Sequence, residues 1–329
     1  MKRTIFAAMC ISLIFVSMSY ARTYKIGTAP WIGFSPNNVA DTKGFWKAHG
    51  ADVKVINFSN AQEMHNALIY NRIDIAHEML GTWCGLYLKD VPLTILAELD
   101  WSHGGDKIII KKKPEISSLK GQTMGIYNST PAITFFLNKY LTANQIKLSD
   151  VRLVEMELEG LADNFIADRF QVIVNCDPAA LRAERQGNGK IVATSATYPG
   201  CIPEGYAIRT DILKEIPRQD LLNIFKGIIQ AATWIKDEKN WEEYKKILNT
   251  KTFEVEKPYS DEDLKQMVDA VRIHDEKILT ERNKDAGGLF IYLNELKMML
   301  KENNMLKKDF KAEEIFDNKA IKEALQGVQ

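Results

Sequence analysis

Cysteine is scarce in this chain of 329 residues: there are four, and no two stand at Cys-x-x-Cys spacing. The five histidines, His49, His65, His77, His103 and His274, are scattered, with no His-x-x-x-His pair. Structural and catalytic zinc sites gather ligands at short fixed spacings, so no metal is expected, and nothing in the chain calls for a cofactor. A nucleophile elbow and a phosphate-binding glycine loop are also missing, which removes the commonest hydrolase and nucleotidase signatures. Net charge is zero, with 43 basic and 43 acidic side chains. A nucleic-acid-binding surface needs a basic excess, so no nucleic-acid partner is expected. Beyond the first residues no apolar run approaches the roughly 20 residues of a membrane span.

What is present begins with a leader. Lys2 and Arg3 precede an apolar stretch at 5–17, and Ser19-Tyr20-Ala21 supplies small residues at the two positions a signal peptidase reads. This predicts a signal peptide over residues 1–21, cut before Arg22, and a periplasmic location. Cys10 lies inside the apolar run in the context Ala-Ala-Met-Cys, which does not suit lipid attachment, so the protein is expected to be free and not anchored. Cys84, Cys176 and Cys201 remain. An odd count in an oxidising compartment permits at most one disulfide, and whether Cys176 pairs with Cys201 stays open.

Short apolar runs alternating with helical periodicity place the chain in the α/β class. Strands are predicted at 24–27, 53–58, 73–77, 93–99 and 106–111, with a helix after Asn60, whose Glu63 completes a capping pattern. Lys112-Lys113-Pro114 breaks the rhythm and a second series follows. It has strands at 123–127, 152–156, 171–174 and 190–193, and helices at 130–142, 161–168 and 177–186. Residues 206–209 read as a return strand, after which five helices are predicted, at 219–235, 241–248, 261–278, 289–303 and 312–325. Two series and a return predict one discontinuous lobe, 22–107 plus 206–329, with a second lobe, 108–205, inserted. The two chain crossings would form a hinge permitting closure on a ligand.

In open parallel sheets ligands bind beyond the carboxyl ends of the strands. The segments leaving those ends carry Trp31 and Ser35, then Glu78, Thr82 and Trp83, then Asp100, Trp101 and Ser102. In the second series they carry Asn128, Ser129 and Thr130, then Asn175 and Asp177; Glu204 lies at the return crossing. Three of the six tryptophans fall in these segments. A ring there either stacks on a flat solute or cation, or plugs the base of its own lobe. Asn128-Ser129-Thr130-Pro131 reads either as an anion-binding helix start or as a plain cap. Glu78, Asp100, Asp177 and Glu204 are acidic, whereas the loops hold no Arg or Lys. Tight sites for sulfonates or carboxylates usually recruit Arg, so this composition favours an amine, an amidine or an aminopyrimidine-like ring.

Trp31-Ile32-Gly33-Phe34-Ser35-Pro36 with Lys43-Gly44-Phe45-Trp46 resembles the opening of the nitrate/sulfonate/taurine-type substrate-binding proteins of ABC importers. That group also contains the pyrimidine-precursor binders. Asn71-Arg72-Ile73-Asp74-Ile75-Ala76, Asp100-Trp101-Ser102-His103-Gly104-Gly105 and Leu119-Lys120-Gly121-Gln122-Thr123-Met124-Gly125 are similar to its third strand, its crossover and its entry to the second lobe. The match runs from Tyr24 to Leu213. Cys176 replaces a usual Trp, Gly81-Thr82 replaces a frequent acidic pair, and the cysteine-rich motif of the eukaryotic pyrimidine-synthesis relatives is missing. The resemblance implies a type II periplasmic-binding-protein fold: two lobes, each with a mainly parallel sheet flanked by helices, a hinge between them, and a helical C-terminal tail. It implies capture of a small molecule by a monomeric, non-catalytic protein that hands it to an ABC permease in the inner membrane. The alternatives are a sensor for a separate receptor, and an enzyme using His77 with Glu78 or His103 with Asp100.

Overall fold

The computed structural model describes residues 22–112, 118–127 and 130–327. The predicted leader, together with Asn128 and Ser129, lies outside the described residues.

Two mixed sheets organise the chain. The first holds β1 (Thr23–Thr28), β2 (Asp52–Asn57), β3 (Ile75–Met79), β4 (Leu93–Ser102), and two strands from late in the sequence, β10 (Pro203–Arg209) and β11 (Val271–Ile273). The second holds β5 (Asp106–Lys111), β6 (Thr123–Tyr127), β7 (Arg152–Met156), β8 (Val172–Cys176) and β9 (Gly189–Thr194). The orders are β11-β4-β10-β3-β1-β2 and β7-β6-β8-β5-β9. β1 lies parallel to β2 and β3, and β6 parallel to β7 and β8, as connections through helices require. The crossover strands run against their neighbours: β10 is antiparallel to β3 and β4, and β5 to β8 and β9. Each sheet is therefore locked by a strand that arrives from the other half.

The helices of the first series are α1 (Ser35–Lys43), α2 (Phe45–Ala48), α3 (Ala61–Ile69) and α4 (Leu80–Tyr87). The second sheet carries α5 (Pro131–Ala143), α6 (Leu158–Ile166) and α7 (Ala179–Gln186). After β10 come α8 (Thr210–Leu213), α9 (Arg218–Ile235), α10 (Trp241–Ile247), α11 (Asp261–Asp269), α12 (Glu276–Asn283), α13 (Gly288–Glu302) and α14 (Lys319–Gln326). Asn60 caps α3 by accepting from the Glu63 N–H at 3.0 Å, and Pro131 opens α5, both as the sequence predicts. No helix among the described residues is long and apolar enough to cross a membrane.

Three expectations are corrected. Residues 80–83, read as loop, are the start of α4, which begins without any side-chain cap and so gives no start signal. β4 runs through Ser102 because β10 and β11 pair with its two edges, taking up residues read as a loop. The single helix predicted at 261–278 is α11, then β11, then the start of α12, which Asp275 caps through the Ile278 N–H at 2.8 Å. Cys84, Cys176 and Cys201 are all free thiols and all buried, so Cys176 and Cys201 form no disulfide.

The core follows from the pattern of the strands. β3 and β8 are buried along their whole length, as central strands covered on both faces must be. Gly205 in β10 admits no side chain: a Cβ there would stand 1.9 Å from the Ala97 carbonyl oxygen of β4. One apolar cluster fills the space between the first sheet, α9 and α14. A second spans both halves, joining α4 and α13 to α5, where Phe135 meets Tyr292 edge-on at 5.5 Å.

Candidate functional site

A cavity of about 440 Å³ lies between the two sheets, lined from both halves of the chain. That is a common size for a small-molecule site. From the first half come the loop after β1 with Trp31 and Phe34, the start of α3, and Glu78 at the end of β3. From the second come Asp106, Tyr127, Cys176 and Asp177, with Glu155, Glu157 and Glu159 at the β7–α6 junction. Glu204 of β10 and a tail segment carrying Phe253, Val255 and Tyr259 complete the lining. Among the described residues, seven carboxyl groups line the cavity, and no Lys or Arg does.

Trp31 sits on Gly105, where a Cβ would stand 2.3 Å from the indole. Its Nε1 donates to Glu204 Oε2 at 2.6 Å, so the ring and the acid hold each other. Glu204 is almost fully buried, and its carboxyl is pushed well above the usual range, first by burial and then by Asp100 beside it. Asn37 Nδ2 faces His77 Nδ1 at 3.0 Å, so His77 Nε2 carries the proton and donates to Asp100 Oδ2 at 2.9 Å. The other oxygen of Asp100 is buried with no donor of its own. A proton on Glu204 supplies one, which agrees with the upward push on that carboxyl.

Asp106, at the start of β5, accepts from the Tyr127 hydroxyl, and burial raises its carboxyl from 3.8 to about 6. Asp177 takes Lys107 on one oxygen and leaves the other buried without a partner. Glu78 is committed to His65 at 3.2 Å and to the Met79 N–H at 2.9 Å. Burial and the charges of Asp106 and Asp177 push the Cys176 thiol far up, so it stays protonated. The His77–Glu78 pairing weighed from sequence does not occur, since His77 turns to Asp100 and Glu78 to His65. Nor does His103 contact Asp100: its backbone pairs with Ala270, and its buried Nδ1 has no partner. Among the described residues no group of 3 or more His, Cys, Asp or Glu converges to hold a metal ion.

Of the residues singled out in the sequence, Trp31, Glu78, Asp177 and Glu204 line the cavity. Asp100 stands behind Glu204 and reaches the cavity only through it. Ser35 bonds the Tyr244 hydroxyl at 2.7 Å inside the first half. Trp83 is wholly buried and donates to the Gly205 carbonyl at 3.2 Å, so it belongs to the core. Trp101 packs edge-on to His274 at 4.7 Å under Arg282 and is likewise structural. Ser102 bonds Ser195 at 2.7 Å, tying the two crossovers together. Thr82 donates to Thr130 at 3.2 Å between the halves, and Asn175 bonds the Leu158 carbonyl at 3.1 Å. Missed by sequence reasoning were His65, Asp106, Tyr127, the acids of the β7–α6 junction, and Phe253 and Tyr259. The strand-end rule, applied to β2 and β7 as well, would have found the first and fourth of these; the tail segment gave no signal.

A family model described as NMT1-like matches residues 19–249. A Brucella abortus (strain 2308) protein named as a binding protein is 24% identical over 225 residues, 66% of this chain and 69% of that one. Among solved structures, the ligand-binding component of an ABC-type import system from Staphylococcus aureus, solved with zinc bound, has a TM-score of 0.73 at 15% identity. It covers 92% of this chain and 99% of its own. The alkanesulfonate-binding protein of Xanthomonas axonopodis pv. citri, bound to MOPS, has a TM-score of 0.72 at 11% identity, covering 90% of this chain and 98% of its own. These likenesses establish the periplasmic-binding-protein fold.

Proposed function

The chain belongs to the NMT1-like family, and we propose that it is the periplasmic solute-binding component of an ABC-type importer. It takes up a small polar organic solute between its two lobes, closes about the β4–β5 and β9–β10 crossovers, and delivers the solute to an inner-membrane permease. It acts as a monomer exported through a cleaved leader. The carrying observation is the cavity of about 440 Å³ to which both halves contribute side chains. A site divided in this way is completed only when the halves approach, so solute binding and closure are one event.

The lining supports an aminopyrimidine-like or amine-like solute over a sulfonate or taurine. Anions of that kind need a forked or point cation, and among the described residues none lines the cavity. The rings of Trp31, Phe34, Tyr127, Phe253 and Tyr259 offer faces for a flat or apolar body. Absence of turnover is supported by the state of the polar groups. Cys176 holds its proton, and the two buried histidines nearest the cavity are each committed to a carboxylate.

Thermal-shift screening of the mature protein against aminopyrimidines, amines, taurine and alkanesulfonates tests this reading. A ligand at 100 times its Kd adds about 2.7 kcal/mol to stability. Trp31→Ala is expected to abolish the shift. Chemical change of a bound solute would overturn the non-catalytic assignment.

A further inference from the structure

Asp106 and Glu204 are carboxyl groups almost entirely removed from solvent, both lining the cavity, and among the described residues neither forms an ion pair: Lys107, the cation near Asp106, pairs with Asp177. The groups around Asp106 are the Tyr127 hydroxyl of β6, Ser102 at the end of β4, Cys176 and Asp177 from the end of β8, and Lys107 of its own strand. Lys107 is spent on Asp177, and Arg185 of α7 also faces Asp177. Around Glu204 stand the Trp31 N–H, Asp100 of β4 with His77 of β3 behind it, and Asp106 across the crossover. His65 of α3 is held by Glu78. Two acids are thus buried with only neutral donors, and a third, Asp177, has an oxygen with no partner. Burying a carboxylate without a countercharge is costly, so in the unliganded protein such a group gives up its proton only at raised pH, Asp106 at about 6.

We infer that the solute is an organic cation whose ammonium, amidinium or guanidinium group enters between Asp106 and Glu204 and displaces a proton to solvent. This rests on the capture reading above and names the charge class of its ligand. Charge balances: the cation arrives, a carboxylic acid becomes a carboxylate, and one proton leaves. The pair formed is charge-assisted and shielded from water, which makes it stronger than a neutral contact. The aromatic lining then receives the apolar or flat body of the same molecule.

The test is titration calorimetry on the mature protein with matched probes: benzamidine and phenethylamine as cations, benzamide and phenylethanol as neutral isosteres, taurine and ethanesulfonate as anions. Running each in two buffers of different ionisation heat, near about pH 5.5, counts released protons. The expected result is binding of a cation with close to one proton released, and neutral and anionic partners weaker by about tenfold or more. Asp106→Asn and Glu204→Gln, checked for folding by circular dichroism, are expected to weaken the cation about tenfold each and to change the number of protons released, and the double variant to release none. A neutral or anionic probe binding as tightly as its cationic partner overturns the charge class and leaves capture standing. Cation binding unchanged in both variants, or without proton release, overturns it equally. Silence from every probe counts against capture and charge class together.

Discussion

Asp106 shows how a single buried acid ties stability to pH. Its carboxyl is raised from 3.8 to about 6 by burial. Between those values the folded chain holds a proton that the unfolded chain has released, so stability falls as pH climbs through that window and levels above it. Each tenfold change in proton affinity is about 1.4 kcal/mol, which puts the cost near roughly 3 kcal/mol at neutral pH. Asp106→Asn keeps an acceptor for Tyr127 and removes the cost. Urea unfolding of the unliganded protein is expected to show the variant gaining on the parent from about pH 4 to 6 and holding that gain at pH 8. A parent and variant whose curves run parallel across that window would show that Asp106 ionises without cost. Trp31 gives a second case. Gly105→Ala places a methyl 2.3 Å from the indole, so the ring must leave its seat and its bond to Glu204. Solute affinity is expected to fall about tenfold in calorimetry, with a smaller effect on melting temperature, because Trp31 lines the cavity and is only partly buried against the core. At this scale the sequence is only partly legible. The strand-end rule found Trp31, Glu78, Asp177 and Glu204, but it also offered Trp83 and Trp101. Nothing local separates a tryptophan that lines a cavity from one that donates to the Gly205 carbonyl or packs beneath Arg282.

β10 decides the architecture at the level of elements. It returns from the second half and fits between β3 and β4, and its Glu204 comes to face the cavity while Gly205 presses on Ala97. Gly205→Ala forces a methyl onto the Ala97 backbone carbonyl, in a strand that pairing with β10 holds close. The expected cost is about 3 kcal/mol or more, read as a lowered urea midpoint with the slope retained. A midpoint equal to the parent's would mean that the two strands can separate locally. The regular strands and capped helices were legible because their signals are local: alternation along β1, the Asn60 cap, Pro131 at the start of α5. The failures share a cause. β11 is a strand only because β4 offers it an edge, and β4 extends through Ser102 only because β10 and β11 flank it. Such pairing joins residues more than 100 positions apart and leaves no trace in either segment alone.

Two kinds of contact join the halves of the whole molecule, and they respond differently to conditions. One is apolar, where α5 packs on α4 and α13. The other is polar: Arg185 of α7 reaches Gln266 at 3.3 Å and Asp263 at 3.5 Å on α11. Both charged partners are substantially exposed, so the pair contributes at most about 1 kcal/mol and weakens with salt. A contact of that size suits a reversible closure, since a stronger one would hold the halves together without solute and leave binding nothing to shift. Arg185→Glu sets a carboxylate against Asp263 and biases the halves apart. Affinity for the solute is expected to fall about threefold, carried by faster dissociation in stopped-flow traces. Raising salt should speed dissociation from the parent toward the variant's rate, because screening removes attraction in one and repulsion in the other. The variant's scattering profile without solute should report a larger radius of gyration than the parent's, and saturating solute should bring the two together. Equal dissociation rates at low salt would show that the apolar packing of α5 alone governs closure, with Arg185 a bystander at its rim.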